Sequence, residues 1–271
     1  MGKIKKTEFK TFHNPMFRDL CLLEFAEEHL NPDEFIFFFY TWDKPSVSLG
    51  RSQRKSQDLI QECILKDIPV TIRPSGGKAV IHDGDICFTF IARQSHKHFG
   101  GNLQESYSKV LDYILEILNE YFTQSLGWEG KIEASKHNKE KDNVTEHLQN
   151  RASMTSDQNI ASTSKLINIY KQNCFSQALG SEGIIQHQGG NHKVLGSAQM
   201  MYASCFLQQG SILINQKSPH SKLSFDIPSI SMTEVLNSGG NLNLDSLTKA
   251  LNEKTQNSFK ALNQKTKQSI N

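Results

Sequence analysis

The amino-acid sequence predicts an α+β fold, in which a mixed and mostly antiparallel sheet is backed by helices. Short apolar runs typical of strands recur along the chain, amphipathic stretches typical of helices fall between them at irregular intervals, and glycine-containing turns separate several strands. A regular alternation of strands and helices would instead predict a parallel sheet. A chain of 271 residues can bury one large core, and we expect residues 1–271 to form a single catalytic domain.

Helices are predicted where apolar residues recur at helical spacing. These stretches are residues 15–30, 56–66, 104–122 and a polar helical tail from about residue 241. In the first stretch, Met16 and Leu20 are expected to face the core. In the second, Leu59, Ile60 and Ile64 are expected to face inward.

Strands are predicted from short apolar or alternating runs bounded by turn residues. These runs are residues 34–42, 46–50, 69–73, 79–81, 86–92 and 208–215. Residues 174–199 predict a further hairpin, with Gly189 and Gly190 in its turn. Residues 128–168 are polar and contain few large apolar side chains, so we expect a mobile insertion there.

The composition excludes several classes of protein. A net charge of +2 and a pI of about 8.2 are too small to indicate a partner such as nucleic acid or an anionic membrane. The N-terminus has lysines but no apolar stretch typical of a secretory signal, and no run reaches the roughly 18 apolar residues of a membrane span. We therefore expect a cytoplasmic protein.

The cysteines are scattered and show no spacing typical of a disulfide framework or a zinc site. They are Cys21, Cys63, Cys87, Cys174 and Cys205. Reduced thiols and no bound metal are the expectation from this spacing.

The motif RPSGGKAVIHDGD, residues 73–85, joins two of the predicted strands in an expected hairpin. Gly76 and Gly77 have no Cβ, so a ligand can lie against their backbone N–H groups. Lys78 and His82 could then bind a carboxylate, a phosphate or a carbonyl oxygen. An ordinary β-turn with surface charges explains the same residues, and no GxxxxGK[ST] or GxGxxG nucleotide motif is present.

A second group of small residues lies in HKVLGSAQ, residues 192–199, which precedes LQQGSIL, residues 207–213. Gly196, Ser197 and Ala198 are typical of a wall that a ligand approaches closely. A tight connection between two strands is the alternative explanation.

Cys174 is a candidate nucleophile, because one predicted hairpin separates it from Lys193. An ammonium group near the sulfur would lower the pKa of the thiol and favour the reactive thiolate. Most cysteines, however, are small buried hydrophobic residues, so this position alone leaves both interpretations open.

Four motifs occur here in the order seen in the lipoate-protein ligase A/biotin-protein ligase (BPL/LPL) catalytic fold: TWDKPSVSLGRSQ, RPSGGKAVIHDGD, KVLGSAQ and LQQGSILI. The sequence most resembles the LipM-type octanoyltransferases of that family, because the basic Lys78 follows the glycines and NCF precedes the KxxGSAQ strand. The resemblance covers residues 10–95 and 170–262, with Gln209 where the family usually has histidine. It implies a BPL/LPL-like domain in which the glycine hairpin lines a tunnel for a medium-chain acyl group.

The resemblance also implies a mechanism without ATP, cofactor or metal. Cys174 would attack the thioester of octanoyl-acyl carrier protein, and Lys193 would stabilise the thiolate. A lysine of a lipoyl domain, on a 2-oxoacid dehydrogenase E2 subunit or a glycine cleavage H protein, would then take the octanoyl or lipoyl group as an amide. The residues implied to bind substrate are Arg73, Ser75, Gly76, Gly77, Lys78, His82, Gly196, Ser197, Ala198, Gln209 and Gly210.

Two other functions remain open from the sequence. An ATP-dependent lipoate-protein ligase would use ATP and Mg²⁺ to form lipoyl-AMP, with Lys193 holding the adenylate and Cys174 uninvolved. A non-catalytic protein that binds acyl groups or lipoyl domains could keep the same scaffold. A requirement for ATP distinguishes the ligase from the transferase.

Overall fold

The computed structural model describes residues 14–54, 57–65, 67–134, 183–215, 230–236 and 242–268, and the side chains of residues 58, 59, 62 and 257–268 lie outside this description. Within these ranges the helices are α1 (Pro15–His29), α2 (Gln57–Leu65), α3 (Leu103–Leu126), α4 (Met232–Val235) and α5 (Leu244–Gln268). The strands are β1 (Phe35–Tyr40), β2 (Ser46–Leu49), β3 (Val70–Ile72), β4 (Val80–His82), β5 (Asp85–Arg93), β6 (Ile132–Ala134), β7 (Gly183–His187), β8 (Gly190–Tyr202) and β9 (Cys205–Leu213).

The larger sheet has six strands in the order β1-β5-β9-β8-β7-β6, and every neighbouring pair is antiparallel. The smaller sheet has the order β3-β2-β4 and contains one parallel and one antiparallel pair. The predicted α+β class, with mixed and mostly antiparallel strands backed by helices, is confirmed.

The predicted hairpin around the two glycines is wrong. Strands β3 and β4 do not pair with each other, because β2 lies between them and pairs with both. The segment from Arg73 to Ala79 therefore crosses the end of β2 instead of closing a tight turn. The strand pattern alone predicted both strands but could not show that a third strand separates them.

Alternate side chains of β5 point to opposite faces of the larger sheet. Ile86, Phe88 and Phe90 enter the main core with α3, while Ile91 packs with α1 on the opposite face. Helix α3 begins with a capping box between Asn102 and Glu105, which satisfies backbone N–H groups of its first turn. The helices thus cover both faces of the sheet, and the α1 face meets the smaller sheet.

Two predicted core positions are exposed in the structure. Leu20 is 38% exposed and Ile64 is 60% exposed, while Cys63 is buried in the small core of the β3-β2-β4 sheet. On α1 the buried position is Asp19, which the sequence analysis did not choose because charged residues rarely face a core. In the part of the chain that the structure describes, no helix combines the length and the apolar character that a membrane span requires.

Candidate functional site

The glycine loop, residues 74–79, is held closed by Arg73. Its Nε donates to the carbonyl of Gly76 at 3.0 Å, its Nη1 donates to the carbonyl of Ser48 at 3.0 Å, and its Nη2 donates to the carbonyl of Lys78. Burial lowers the pKa of Arg73 to about 10, so the guanidinium keeps its charge at neutral pH. The predicted binding residue Arg73 therefore shapes the loop through its backbone.

Two glycines of this region differ sharply in the space around them. A Cβ on Gly50 would lie 1.8 Å from the carbonyl oxygen of Gly77, which itself has a φ of +89°. A Cβ on Gly76, in contrast, would meet nothing among the described atoms within 4 Å. The backbone of Gly76 is exposed, so a ligand can approach the loop at this residue.

One face of β8 lies next to the loop and presents small residues and a lysine. A Cβ on Gly77 would lie 3.8 Å from the Cβ of Ala198, and a Cβ on Gly196 would lie 3.0 Å from Cε and 3.2 Å from Nζ of Lys193. We call Lys193, Gly196 and Ala198 the β8 strip. The structure thus brings the predicted Lys193 ammonium, the small residues and the glycine loop into one continuous region.

Two other predicted binding residues, Ser197 and Gly210, face the opposite side of the larger sheet. The hydroxyl of Ser197 hydrogen-bonds to the hydroxyl of Tyr107 on α3 at 2.6 Å. A Cβ on Gly210 would lie 2.2 Å from Cε1 of Phe88, so this glycine is needed for core packing. The strand period of two separates Ser197 and Gly210 from the β8 strip.

A buried polar chain connects the glycine loop to α1 through β9. Ser75 Oγ donates to Gln209 Oε1 at 2.8 Å, and Gln209 Nε2 donates to Asp19 Oδ2 at 2.6 Å. Asp19 also accepts from Thr89 at 2.8 Å and pairs with Arg18 at 3.0 Å. Burial raises the pKa of Asp19, against the opposing charge of Arg18.

Sequence reasoning chose Ser75 and Gln209 but missed Asp19. A signal existed, because Asp19 lies three residues after the buried Met16 and four before the buried Leu23, on the same helical face. A charged residue in the middle of an apolar stripe is uncommon and indicates a buried partner.

His82 lies beneath the loop in a second buried cluster. Its Nδ1 is 2.8 Å from Asp85 Oδ2 and its Nε2 is 2.8 Å from Ser48 Oγ, while its ring stacks on Trp42 with centroids 4.3 Å apart. Both ring nitrogens are thus engaged by protein atoms. Contact between His82 and a substrate stays a prediction.

The predicted nucleophile Cys174 lies outside the described residues, as does the predicted insertion beyond residue 134. The hairpin that should bring Cys174 towards Lys193 is described from Gly183 onwards, with its turn at Gln188 and Gly189. The proximity of Cys174 and Lys193 stays a prediction.

Comparison with known proteins finds similar sequences that are named octanoyltransferase LipM. The octanoyltransferase LipM of Carboxydothermus hydrogenoformans is 27% identical over 212 residues, which are 78% of this chain and 64% of that protein. The octanoyltransferase LipM of Halalkalibacterium halodurans is 26% identical over 201 residues, which are 74% of this chain and 61% of that protein. The chain therefore spans less than two thirds of the length of these curated relatives.

A solved structure shows the same fold. The structure of P. falciparum LipL1 in complex with lipoate aligns with a TM-score of 0.55 at 19% identity, and the match covers 94% of this chain and 61% of that one. The model of the lipoyl protein ligase A/B catalytic domain matches residues 19–253. The matched range includes the glycine loop, the β8 strip and β9, and the chain belongs to the lipoyl protein ligase A/B catalytic domain family.

Proposed function

We propose that this protein transfers an octanoyl or lipoyl group from an acyl thioester to the target lysine of a lipoyl domain, in lipoate attachment. The observation that carries the proposal is the β8 strip, where the Lys193 side chain lies over Gly196 and Ala198 faces Gly77 of the glycine loop. A cation beside a surface without side chains suits a thioester carbonyl and the chain attached to it. The relatives named octanoyltransferase support the same reaction.

In the first half of the reaction, the Cys174 thiolate attacks the carbonyl carbon of the acyl thioester. The negative charge that develops on the carbonyl oxygen is stabilised by the Lys193 ammonium. The tetrahedral intermediate then breaks its bond to the donor sulfur, and the donor leaves as a thiolate that takes up a proton. An acyl thioester on Cys174 remains.

In the second half, the uncharged amine of the acceptor lysine attacks this acyl-enzyme. The carbon–sulfur bond breaks, an amide forms, the nitrogen loses a proton, and Cys174 returns as thiol or thiolate. Each thioester is already activated, so no ATP, cofactor or metal takes part. Splitting the reaction at a covalent intermediate lets donor and acceptor use the same site in turn.

The predicted binding residues support this proposal from two sides. Arg73 and Ser75 hold the glycine loop in place, so that Gly76 stays accessible and Gly77 faces Ala198.

We propose an acyl carrier protein as donor and, as acceptors, the lipoyl domains of 2-oxoacid dehydrogenase E2 subunits and glycine cleavage H protein. All of these reactants suit a cytoplasmic enzyme.

The test is to incubate the purified protein with octanoyl-acyl carrier protein in the absence of ATP and to quench with acid. Intact mass followed by peptide mapping should show one octanoyl adduct on Cys174 that hydroxylamine removes. The exposed Cys21 provides a matched control, because Cys21→Ala should keep the adduct while Cys174→Ala loses it.

A different pattern would replace the proposal. If no adduct forms, and a lipoyl domain is modified only with ATP, Mg²⁺ and the free acid, the protein is a ligase. If neither donor leads to transfer while lipoyl domains still bind, the protein is a binding module.

A further inference from the structure

Three side chains of different chemistry converge where β4 turns into β5, beneath the glycine loop. His82 Nδ1 lies 2.8 Å from Asp85 Oδ2, and Cys87 Sγ lies 3.3 Å from each of these two atoms. The relative exposures of the residues are 4%, 3% and 1%. We call the three atoms Nδ1, Oδ2 and Sγ the donor triangle.

We propose that the donor triangle binds a divalent metal ion of the zinc class. Tetrahedral zinc sits at about 2.0–2.1 Å from nitrogen or oxygen and about 2.3 Å from sulfur, which places its ligand atoms roughly 3.3–3.6 Å from one another. The three observed separations are 2.8, 3.3 and 3.3 Å. To admit the ion, the His82 and Asp85 ligand atoms need to move apart by about half an ångström, and each needs to move from the sulfur by about 0.3 Å or less.

The ligand set suits zinc in charge as well as in distance. Imidazole, thiolate and carboxylate are the ligand types that zinc prefers, and one thiolate with one carboxylate balances the two positive charges of the ion. A metal ion bound to Cys87 must displace the thiol proton, which passes to solvent. Binding should therefore release a proton and weaken in acid.

The side chains around the triangle already hold its members in orientation. His82 Nε2 is 2.8 Å from Ser48 Oγ, Ser211 Oγ donates to Asp85 Oδ2 at 2.6 Å, and Trp42 Nε1 donates to Cys87 Sγ at 3.3 Å. With Nδ1 bound to metal, Nε2 carries the ring proton and donates it to Ser48. Such partners outside the ligands fix the tautomer of a metal-binding histidine.

A pocket of about 240 Å³ reaches His82 and Asp85 from outside, and Trp42, Lys44 and Asn215 are among its other lining residues. Cys87 is buried and is not part of this lining. This opening can admit the ion and a water molecule for its fourth position. Three protein ligands with one open position are a common zinc arrangement.

Metal binding would also act on the glycine loop. Ser48 Oγ accepts a 3.1 Å hydrogen bond from Arg73 Nη1 in addition to its contact with His82. Fixing the imidazole therefore fixes Ser48, and through it the arginine that closes the loop. This proposal is independent of the identity of the acyl donor and of the role of Cys174.

The spacing His82-x-x-Asp85-x-Cys87 explains why a metal site was not predicted from the sequence. It matches none of the spacings typical of zinc sites, and the three residues come together because only two residues connect β4 of the smaller sheet to β5 of the larger sheet. The expectation of no bound metal rested on the spacing of residues along the chain.

The test is titration of the metal-free protein with Zn²⁺ and Co²⁺. We expect one ion per chain, release of protons into a weakly buffered solution, and a thiolate-to-cobalt charge-transfer absorption in the near ultraviolet. Zn²⁺ at a hundredfold excess over its dissociation constant should raise the melting temperature by about 5 °C or more.

Matched cysteine variants identify the thiolate. Cys87→Ser should abolish the charge-transfer absorption and weaken binding by more than roughly 100-fold. Cys205→Ser is the control, since Cys205 is buried six residues further along the β5–β9 ladder, about 20 Å away. Cys174→Ser should also keep the absorption, which separates this site from the proposed nucleophile.

A second variant, Asp85→Asn, tests the site even if Cys87→Ser does not fold. The asparagine keeps the shape of the aspartate side chain, and the substitution should still lower the affinity for Zn²⁺. The proposal is overturned if the folded wild-type protein binds no stoichiometric Co²⁺, or if the cobalt absorption persists in Cys87→Ser and disappears in Cys174→Ser. The latter outcome would assign the metal to the catalytic thiol.

Discussion

The hydroxyl of Ser75 donates a 2.8 Å hydrogen bond to Oε1 of Gln209 and so ties the glycine loop to strand β9. The same glutamine donates to the buried carboxylate of Asp19 at 2.6 Å. One side chain of the larger sheet therefore connects α1 with the loop of the smaller sheet. This buried contact is one of several that hold the two sheets together, with the His82–Asp85 contact between β4 and β5 as another.

Gln209→Leu should destabilise the fold by about 1–3 kcal/mol, because it leaves the buried Ser75 hydroxyl without its acceptor and removes one of the donors to the buried Asp19 carboxylate. Urea denaturation measures the loss. The matched control is Gln104→Leu at an exposed position of α3, which should change the free energy of unfolding by no more than about 0.5 kcal/mol.

A double-mutant cycle with Ser75→Ala isolates the contact between the loop and β9. We expect a coupling energy of at least about 0.5 kcal/mol between the two substitutions. Additive effects would mean that the two side chains contribute separately and that the contact does not link the sheets.

Gly76→Ala should separate folding from binding. The Cβ meets nothing within 4 Å among the described atoms, so we expect the melting temperature to stay within about 2 °C of wild type. If substrate lies against this backbone, the added methyl group should raise KM by about tenfold or more, which equals about 1.4 kcal/mol. Steady-state kinetics with the octanoyl donor provides the measurement.

Gly50→Ala is the matched opposite case. Its Cβ would lie 1.8 Å from the carbonyl of Gly77, so the loop must move and stability should fall by about 1–3 kcal/mol. Unchanged kinetics in Gly76→Ala, together with the expected instability of Gly50→Ala, would place the substrate away from the loop.

Lys193→Ala should reduce turnover by about 10²–10³-fold, because the developing negative charge would lose its cation. Gly196→Ala provides a smaller perturbation of the same group. Its Cβ would lie 3.2 Å from Nζ of Lys193 and must displace the ammonium by a few tenths of an ångström. Single-turnover acyl transfer should therefore slow in both variants, and more in the first.

Both substitutions should leave the fold intact, which thermal unfolding checks. Near wild-type turnover in Lys193→Ala would contradict the proposed role of the lysine. A defect in Gly196→Ala as large as that in Lys193→Ala would point instead to a direct contact between substrate and Gly196.

Strand β6, Ile132–Ala134, lies inside residues 128–168, where the sequence predicted a mobile insertion. Strand β5 was predictable from sequence because the alternation of residues 86–92 is evident. The order of the smaller sheet was not, because β3 and β4 have three residues each and pair with the intervening β2. A local pattern shows that a segment is extended. It does not show which strand forms its neighbour.

Some residues of the candidate site were predicted from the sequence, and others are evident only in the folded structure. The resemblance indicated Lys193, Gly196 and the glycines, and the structure places them together. Asp19 was missed because its partner Gln209 is 190 residues distant, so only the folded chain shows the contact. The side chain of Ser197 faces α3, since three consecutive residues of a strand cannot all face one way, and its contact with substrate stays a prediction.

His96 should make stability depend on pH in the mildly acidic range. Its Nδ1 accepts hydrogen bonds from the backbone N–H groups of His98 and Phe99, both at 3.2 Å, and only an unprotonated Nδ1 can do so. Burial, with the nearby charge of His98, lowers the pKa of His96 from 6.5 to about 4. Between these two pH values the unfolded chain binds a proton that the folded chain does not.

The stability linked to His96 is therefore fully present above pH 6.5 and is lost as the pH falls towards 4, over the window set by the two pKa values. The full effect is about 3 kcal/mol.

His96→Asn keeps an acceptor for the two N–H groups but cannot titrate, so its stability should fall less than that of wild type between pH 7 and about 4.5. The exposed His29→Asn is the control and should follow wild type, and urea denaturation at several pH values provides the comparison. Parallel pH profiles for wild type and His96→Asn would show that His96 is protonated equally in both states, and acid destabilisation would then have to arise from another group.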